Sequence, residues 1–235
     1  MTNQPHLNPI NLNGWDDVLD LYHLTRDQIN NITGDPTDQW ATARREITHA
    51  DENIPHIYRR ALADEPDVIA WANSLAAVSR EQSAGRIATS VGRHRSLLLL
   101  GPTGTGKTHQ AYGALRYLAP AGIAWHWTAT SSANMYAALR PRSGVDSETE
   151  FRKYAHARLL MLDDLGAAKS SEWTEEINFR LINHRYENQL PTIITSNVLP
   201  KELTERVGER VASRLVGMSD RVVIRGQDRR GEEAA

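Results

Sequence analysis

Residues 97–108 read Leu97-Leu98-Leu99-Leu100-Gly101-Pro102-Thr103-Gly104-Thr105-Gly106-Lys107-Thr108. An apolar run gives way to a turn rich in glycine and threonine, and the turn closes on Lys-Thr. Such a loop suits a phosphate. Glycines let successive backbone N–H groups converge on one anion, and a helix that follows adds its positive dipole end. The order G-x-x-x-x-G-K-[ST] is the phosphate-loop pattern: Lys107 would reach the β- and γ-phosphates of a nucleotide, and the Thr108 hydroxyl would bind Mg²⁺. The alternative is a Gly/Thr loop that matches by accident, expected in about one chain in a hundred of this length at average composition. Requiring a strand before the loop and a helix after it makes accident rarer still.

Two further strand-like segments end in polar residues. Leu159-Leu160-Met161-Leu162 runs into Asp163-Asp164. Magnesium keeps several of its waters and is held through one or two carboxylates, so Asp163 is the candidate for the metal. Asp164 beside it is placed to accept a proton from an attacking water, or to orient that water. The same pair would also serve as an ordinary acidic corner between strand and loop. Pro191-Thr192-Ile193-Ile194-Thr195-Ser196 ends in Asn197, whose amide would hold the lytic water or touch the γ-phosphate. Asparagine is equally at home as a turn former. Glu209-Arg210-Val211-Ala212-Ser213-Arg214-Leu215 puts Arg210 and Arg214 on one helix face. An arginine lent to a neighbouring subunit's site supplies charge as the transition state develops it. Two solvated arginines on an exposed helix are the other reading.

The elements that must position these residues alternate along the chain. A core strand starts near Ser96, and a helix over 109–118 is closed by Pro120 and Gly122. Ile123 to Thr128 alternates as a strand would, which makes Trp125 and Trp127 packing residues and not base-stacking ones. Helices over 133–139 and 147–156 precede the strand at Leu159, and a helix over 172–186 opens with Glu172, Glu175 and Glu176, as its dipole prefers. Helices over 201–207 and 209–215 precede a last strand, Arg221 to Ile224. Strands alternating with helices predict a parallel sheet covered on both faces, with ligands beyond the carboxyl ends of the strands. All three polar tips fall on that side.

Upstream, Leu12, Trp15, Leu19 and Tyr22 form one helical stripe, and Thr25-x-x-Gln28 reads as a capping box. Gly34-Asp35-Pro36 breaks the chain. A helix over 40–47 follows, then one opened by Pro66 with Val68, Trp71, Ala72 and Leu75 on one face. Residues 79–95 read as a polar linker.

Composition excludes some classes of function. The 235 residues carry a net charge of −2, with 40% apolar and 24% charged side chains, the balance of an ordinary soluble domain. No apolar run reaches the ~18 residues of a membrane span, and no signal pattern opens the chain. With no cysteine, disulfides, cysteine nucleophiles and thiolate zinc sites are ruled out, and a cytoplasmic location fits. Lysine is confined to Lys107, Lys153, Lys169 and Lys201, so any nucleic-acid surface must be a local patch.

Taken together, the phosphate loop, Leu159 to Gly166, Pro191 to Asn197 and Glu209 to Leu215 resemble the AAA+ ATPases of the DnaC/DnaI helicase-loader and IstB group. Ile54 to Ala61 is similar to that group's N-terminal boundary, and the likeness extends over roughly 54–226. It implies an α/β P-loop AAA+ core with a five-stranded parallel sheet, preceded by a small helical region at 1–53 and followed by a charged tail at 227–235. By the same resemblance Lys107 and Thr108 are Walker A, Asp163 and Asp164 are Walker B, Asn197 is sensor 1, and Arg214 is the arginine finger with Arg210 in support. Ile57 and Tyr58 would face the adenine. The helical lid of larger relatives is expected to be missing, and the zinc-bearing docking domain of some relatives is excluded by the lack of cysteine.

The resemblance implies an ATP-hydrolysing helicase loader in DNA replication. Its substrate would be Mg²⁺-ATP bound between subunits of a homo-oligomer, and its partners a replicative helicase and single-stranded DNA. Arg140, Arg142, Arg152 and Lys153 are candidate DNA contacts, or else a solvated helical face. An IstB-like transposition helper shares every ATPase motif and would partner a transposase. A nucleotide kinase would need an arginine-rich lid and an acceptor pocket, and nothing after Asn197 reads as either. A nucleotide-binding adaptor that barely hydrolyses ATP is opposed by the intact Lys107, Asp163, Asp164 and Asn197.

Overall fold

A computed structural model of the chain describes residues 9–30, 39–84, 89–142, 144, 146–167, 171–198 and 202–225. The expected break at Gly34-Asp35-Pro36 and the charged tail lie outside these residues. The chain divides into two compact units, Met1–Gly92 with Tyr112–Trp125, and Arg93–Ala111 with His126–Ala235.

The first unit is helical. It contains α1 (Asp16–Leu21), α2 (Arg26–Asn30), α3 (Gln39–Asn53), α4 (Pro66–Gln82) and the later part of α5 (Lys107–Leu118). The predicted stripe is buried at Leu12, Trp15 and Leu19. The capping box forms: Thr25 N–H donates to Gln28 Oε1 at 2.8 Å, and Gln28 N–H to Thr25 Oγ1 at 3.2 Å. Pro66 takes the first turn of α4, where a missing N–H costs no helical bond. Arg116 of α5 is almost fully buried, stacks over Trp15 at 4.7 Å and donates to the carbonyls of Ala61 and Gly14. Burial lowers its pKa to about 10, so it keeps its proton at neutral pH.

The second unit holds the sheet: β1 (Ser96–Leu100), β2 (Trp127–Ser131), β3 (Leu159–Asp163), β4 (Thr192–Ser196) and β5 (Ser219–Val223). All strands are parallel, in the order β2-β3-β4-β1-β5. Leu98, Leu100, Leu160, Leu162 and Ile194 face a core completed by α6 (Ser132–Leu139), α7 (Ser147–Ala155), α8 (Glu172–Glu187), α9 (Leu203–Val207) and α10 (Glu209–Met218). Their alternates Leu97, Leu99, Leu159, Met161 and Ile193 are equally buried, so both faces are covered. Each fully buried leucine contributes about 1.5–3 kcal/mol, which explains why these strands read as unbroken apolar runs.

Two strands depart from their predicted bounds. The alternation at 123–128 is not a strand until Trp127. Ile123 and Trp125 are fully buried, but Trp125 Nε1 donates to the carbonyl of Leu118 at 2.6 Å and His126 adopts φ 43°, which breaks extended backbone. The aromatic period there reflects packing. The last strand starts at Ser219 and not Arg221, because α10 runs on to Met218 and passes directly into it. Among the described residues, no helix is long and apolar enough to cross a membrane.

Candidate active site at the carboxyl ends of the strands

β1 ends at Leu100, and the phosphate loop curls away from it before α5 begins at Lys107. Gly101 takes φ +150°, and a Cβ there would run into the carbonyl oxygen of Ile224, so only glycine fits between the two backbones. Thr105 Oγ1 and Lys107 Nζ both donate to the carbonyl of Pro102, at 2.9 and 2.6 Å, so the lysine folds back along its own loop. Lys107 is only 4% exposed.

Thr108 Oγ1 donates to Asp163 Oδ1 at 2.9 Å, joining the first turn of α5 to the end of β3. Thr195 Oγ1 donates to the same oxygen at 2.6 Å and accepts the N–H of Asp164 at 2.9 Å. Asp164 has φ 57°, a left-handed conformation that takes its amide out of the strand ladder. The Asp164 carbonyl accepts from Ser132 Oγ at 2.8 Å, and its carboxylate accepts from Asn197 Nδ2 at 2.8 Å. A cavity of about 240 Å³ lies beside Asn197, lined by Gly166, Ala167, Val198, Glu202 and Arg206. Burial pushes the Asp163 carboxyl above its usual range. The Thr195 and Thr108 hydroxyls oppose that shift, Asp164 adds to it, and Lys107 opposes it.

Thr108, Asp163, Asp164 and Asn197 are thus joined in one hydrogen-bonded network at the strand tips. Thr108 keeps lone pairs while its proton goes to a carboxylate, and a hydroxyl with a carboxylate is the hard-oxygen set that magnesium prefers. The residues present therefore fit the ion. Thr195 and Ser132 were missed by sequence reasoning. A buried hydroxyl in a strand carries no signal until its partner is known.

Arg210 and Arg214 form a separate cluster. Their guanidiniums lie 3.5 and 4.8 Å from the centre of the Phe179 ring, and Arg214 Nε donates to Asn183 Oδ1 at 2.7 Å. The predicted shared face exists, and it is laid against α8. Ile57 and Tyr58 belong to the first unit. Ile57 is 76% exposed, and Tyr58 stacks on Tyr112 with centroids 4.9 Å apart. Of the suggested DNA contacts, Arg152 pairs with Glu148 at 3.8 Å and Lys153 with Glu150 at 2.6 Å.

This geometry, a phosphate loop against paired acids on a β2-β3-β4-β1-β5 parallel sheet, is that of the P-loop AAA+ fold. The chain belongs to the IstB-like ATP binding protein family, whose model matches residues 77–231. It is 29% identical over 150 residues to a Pseudomonas aeruginosa protein described as an ATP-binding protein of insertion sequence IS21, covering 61% of this chain and 55% of that one. It is 32% identical over 139 residues to the chromosomal replication initiator protein DnaA of Acinetobacter baylyi, covering 57% of this chain and 29% of the relative. The chain thus spans about half, or less, of the curated relatives it matches. The crystal structure of the DnaC helicase loader shares the fold, with a TM-score of 0.59 at 22% identity, over 73% of this chain and 100% of that one.

Proposed function

We propose that the protein is an ATP-hydrolysing helicase loader that works as a switch on DNA. Copies assemble around shared ATP, engage single-stranded DNA and a ring-shaped replicative helicase, and let go on hydrolysis. The observation that supports the hydrolytic part of this reading is the single network joining Thr108, Asp163, Asp164 and Asn197 beside the phosphate loop. An adaptor that merely binds nucleotide has no need of a second carboxylate held by an amide.

In this reading, the backbone N–H groups of Gly101 to Thr108 and the Lys107 ammonium bind the β- and γ-phosphates. Thr108 and Asp163 would hold a magnesium ion, which would supply charge neutralisation on the phosphates. Asp164 takes a proton from the attacking water, and Asn197 moves off that carboxylate to orient the water or the γ-phosphate. Arg214, with Arg210 behind it, meets the γ-phosphate of a neighbouring copy. Residues 1–53 are the partner-docking region, and 54–226 are the ATPase.

A shared site has a sharp test. Lys107→Ala chains lack the ammonium that meets the β- and γ-phosphates but still offer Arg214, and Arg214→Ala chains are the reverse. Each alone is expected to be inactive in assembled ATPase, while a mixture recovers turnover. Failure of the mixture, or normal hydrolysis by Arg214→Ala, would sink the shared site. Single-strand binding is expected to weaken steeply with salt, because phosphate contacts release counterions. A Kd indifferent to salt removes that part.

The family match and the IS21 relative favour a second reading, a transposition helper with a transposase as partner. Direct binding assays with a ring helicase and with a transposase, in ATP and in ADP, separate the two.

A further inference from the structure

The ladder between β3 and β4 stops at Leu162 and Ile194. The next residues, Asp163 and Thr195, are joined through their side chains instead. Thr195 is fully buried in a strand of isoleucine and threonine, where valine would fill the same space. A buried hydroxyl is costly unless it is bonded, and this one makes two bonds. Its single proton goes to Asp163 Oδ1, and its lone pair accepts the N–H of Asp164.

We propose that Thr195 is a positioning residue of the hydrolytic site, whose hydroxyl fixes the Asp163 carboxylate toward a divalent cation and ties it to the backbone of Asp164. The proposal rests on the nucleotide-site reading above. Thr108 and Thr195 both donate to Oδ1, so the other carboxylate oxygen remains for a donor from the cation's water shell. With Thr108 alone, Oδ1 would be held from one direction and could swing about that donor. With both, Oδ1 is held from two directions, by α5 and by β4, which limits rotation of the carboxylate. The second bond holds Asp164 in its left-handed conformation, so one hydroxyl governs the geometry of both acids. Partners that orient a metal-binding group are commonly worth about 10–100-fold in metal affinity.

The test uses the full chain with Mn²⁺ as the cation probe, titrated by electron paramagnetic resonance in the presence of a non-hydrolysable ATP analogue. Fluorescent-nucleotide affinity in EDTA is measured alongside. Thr195→Val is expected to weaken Mn²⁺ binding about 10-fold, while metal-free nucleotide affinity stays within about twofold. Thr195→Ser, which restores the hydroxyl, is expected to return Mn²⁺ binding to wild type. A merely structural threonine would lower the melting temperature without separating the two affinities. Wild-type Mn²⁺ affinity in folded Thr195→Val, or no recovery in Thr195→Ser, overturns the proposal. Failure of the wild-type chain to bind nucleotide in EDTA or with Mn²⁺ strikes instead at the nucleotide-site reading. Should Thr195→Val not fold, Thr195→Ala is compared with Thr195→Ser by the same criteria.

Discussion

The two ends of the parallel sheet both bury polar groups, and they do so in opposite ways. At the amino ends, Arg185 of α8 is wholly buried. Its Nε donates to Thr192 Oγ1 at 2.7 Å, and its terminal nitrogens donate to the carbonyls of Tyr154, Ala155, Ala157 and Pro191 at 2.8–3.2 Å. The guanidinium is surrounded by acceptors and stitches α7 to the leads into β3 and β4. Burial lowers its pKa to about 9, which still leaves it charged at neutral pH. At the carboxyl ends, two acids stand side by side, one on left-handed backbone, and burial raises the Asp163 pKa. A saturated polar group serves the fold. A carboxyl held against its preference beside a second acid is a candidate for chemistry.

The two ends should therefore fail differently. Asp164→Asn is expected to lower the assembled ATPase rate about 10³-fold, within the usual range for losing a positioned base. ATP affinity and melting temperature should stay near wild type. Turnover above a tenth of wild type would remove Asp164 from the chemistry. Arg185→Met makes the opposite break. It removes the donors that Arg185 gives to five acceptors at the sheet's other end and should cost about 3 kcal/mol of stability or more. At low temperature, the folded fraction should bind ATP normally. A melting temperature unchanged in Arg185→Met would contradict its role as a staple.

Lys107→Ala sharpens the functional side of the comparison. Losing a charged contact to phosphate is worth about 1.5–3 kcal/mol, or about 10–100-fold in ATP affinity. Fluorescent-nucleotide titration reads this directly, and an unchanged Kd would place the triphosphate elsewhere. Lys107 Nζ donates to the Pro102 carbonyl within its own loop, so the expected change in stability is small.

The two ends also differed in how legible they were. The placement of the loop, Asp163, Asp164 and Asn197 at the strand tips is legible because apolar runs mark those strands and polar residues end them. Arg185 was not readable. Its acceptors are backbone carbonyls, which any sequence provides, so nothing in residue type announces them. Thr195 fell between these cases: it belongs to the readable Pro191–Asn197 string, but its role depends on which hydroxyl faces Asp163. The strand misplaced at Ile123 shows the converse error. Alternating aromatics signal burial, and burial alone does not distinguish a strand from a packed turn broken at His126.

The smallest effect concerns the strain held at the carboxyl end. A carboxyl whose folded-state pKa is raised binds its proton more tightly folded than unfolded. Its favourable contribution is complete below the unfolded pKa and is lost as pH rises through the folded one. Asp163 is such a group, so at neutral pH its charge opposes folding of the nucleotide-free protein. Asp163→Asn keeps an Oδ1 to accept from Thr108 and Thr195 and removes that charge. It should stabilise the free protein at neutral pH by about 0.5–2 kcal/mol, the usual return from relaxing a functional site. The gain should shrink as pH falls into the carboxylate range, where wild-type Asp163 takes up its proton. Melting curves of both proteins from pH 4 to 8 check the sign. A variant less stable at neutral pH, or a gap that widens in acid, would mean that hydrogen bonds to the charged carboxylate outweigh its burial. Asp163 would then belong with Arg185 as a saturated, structural group.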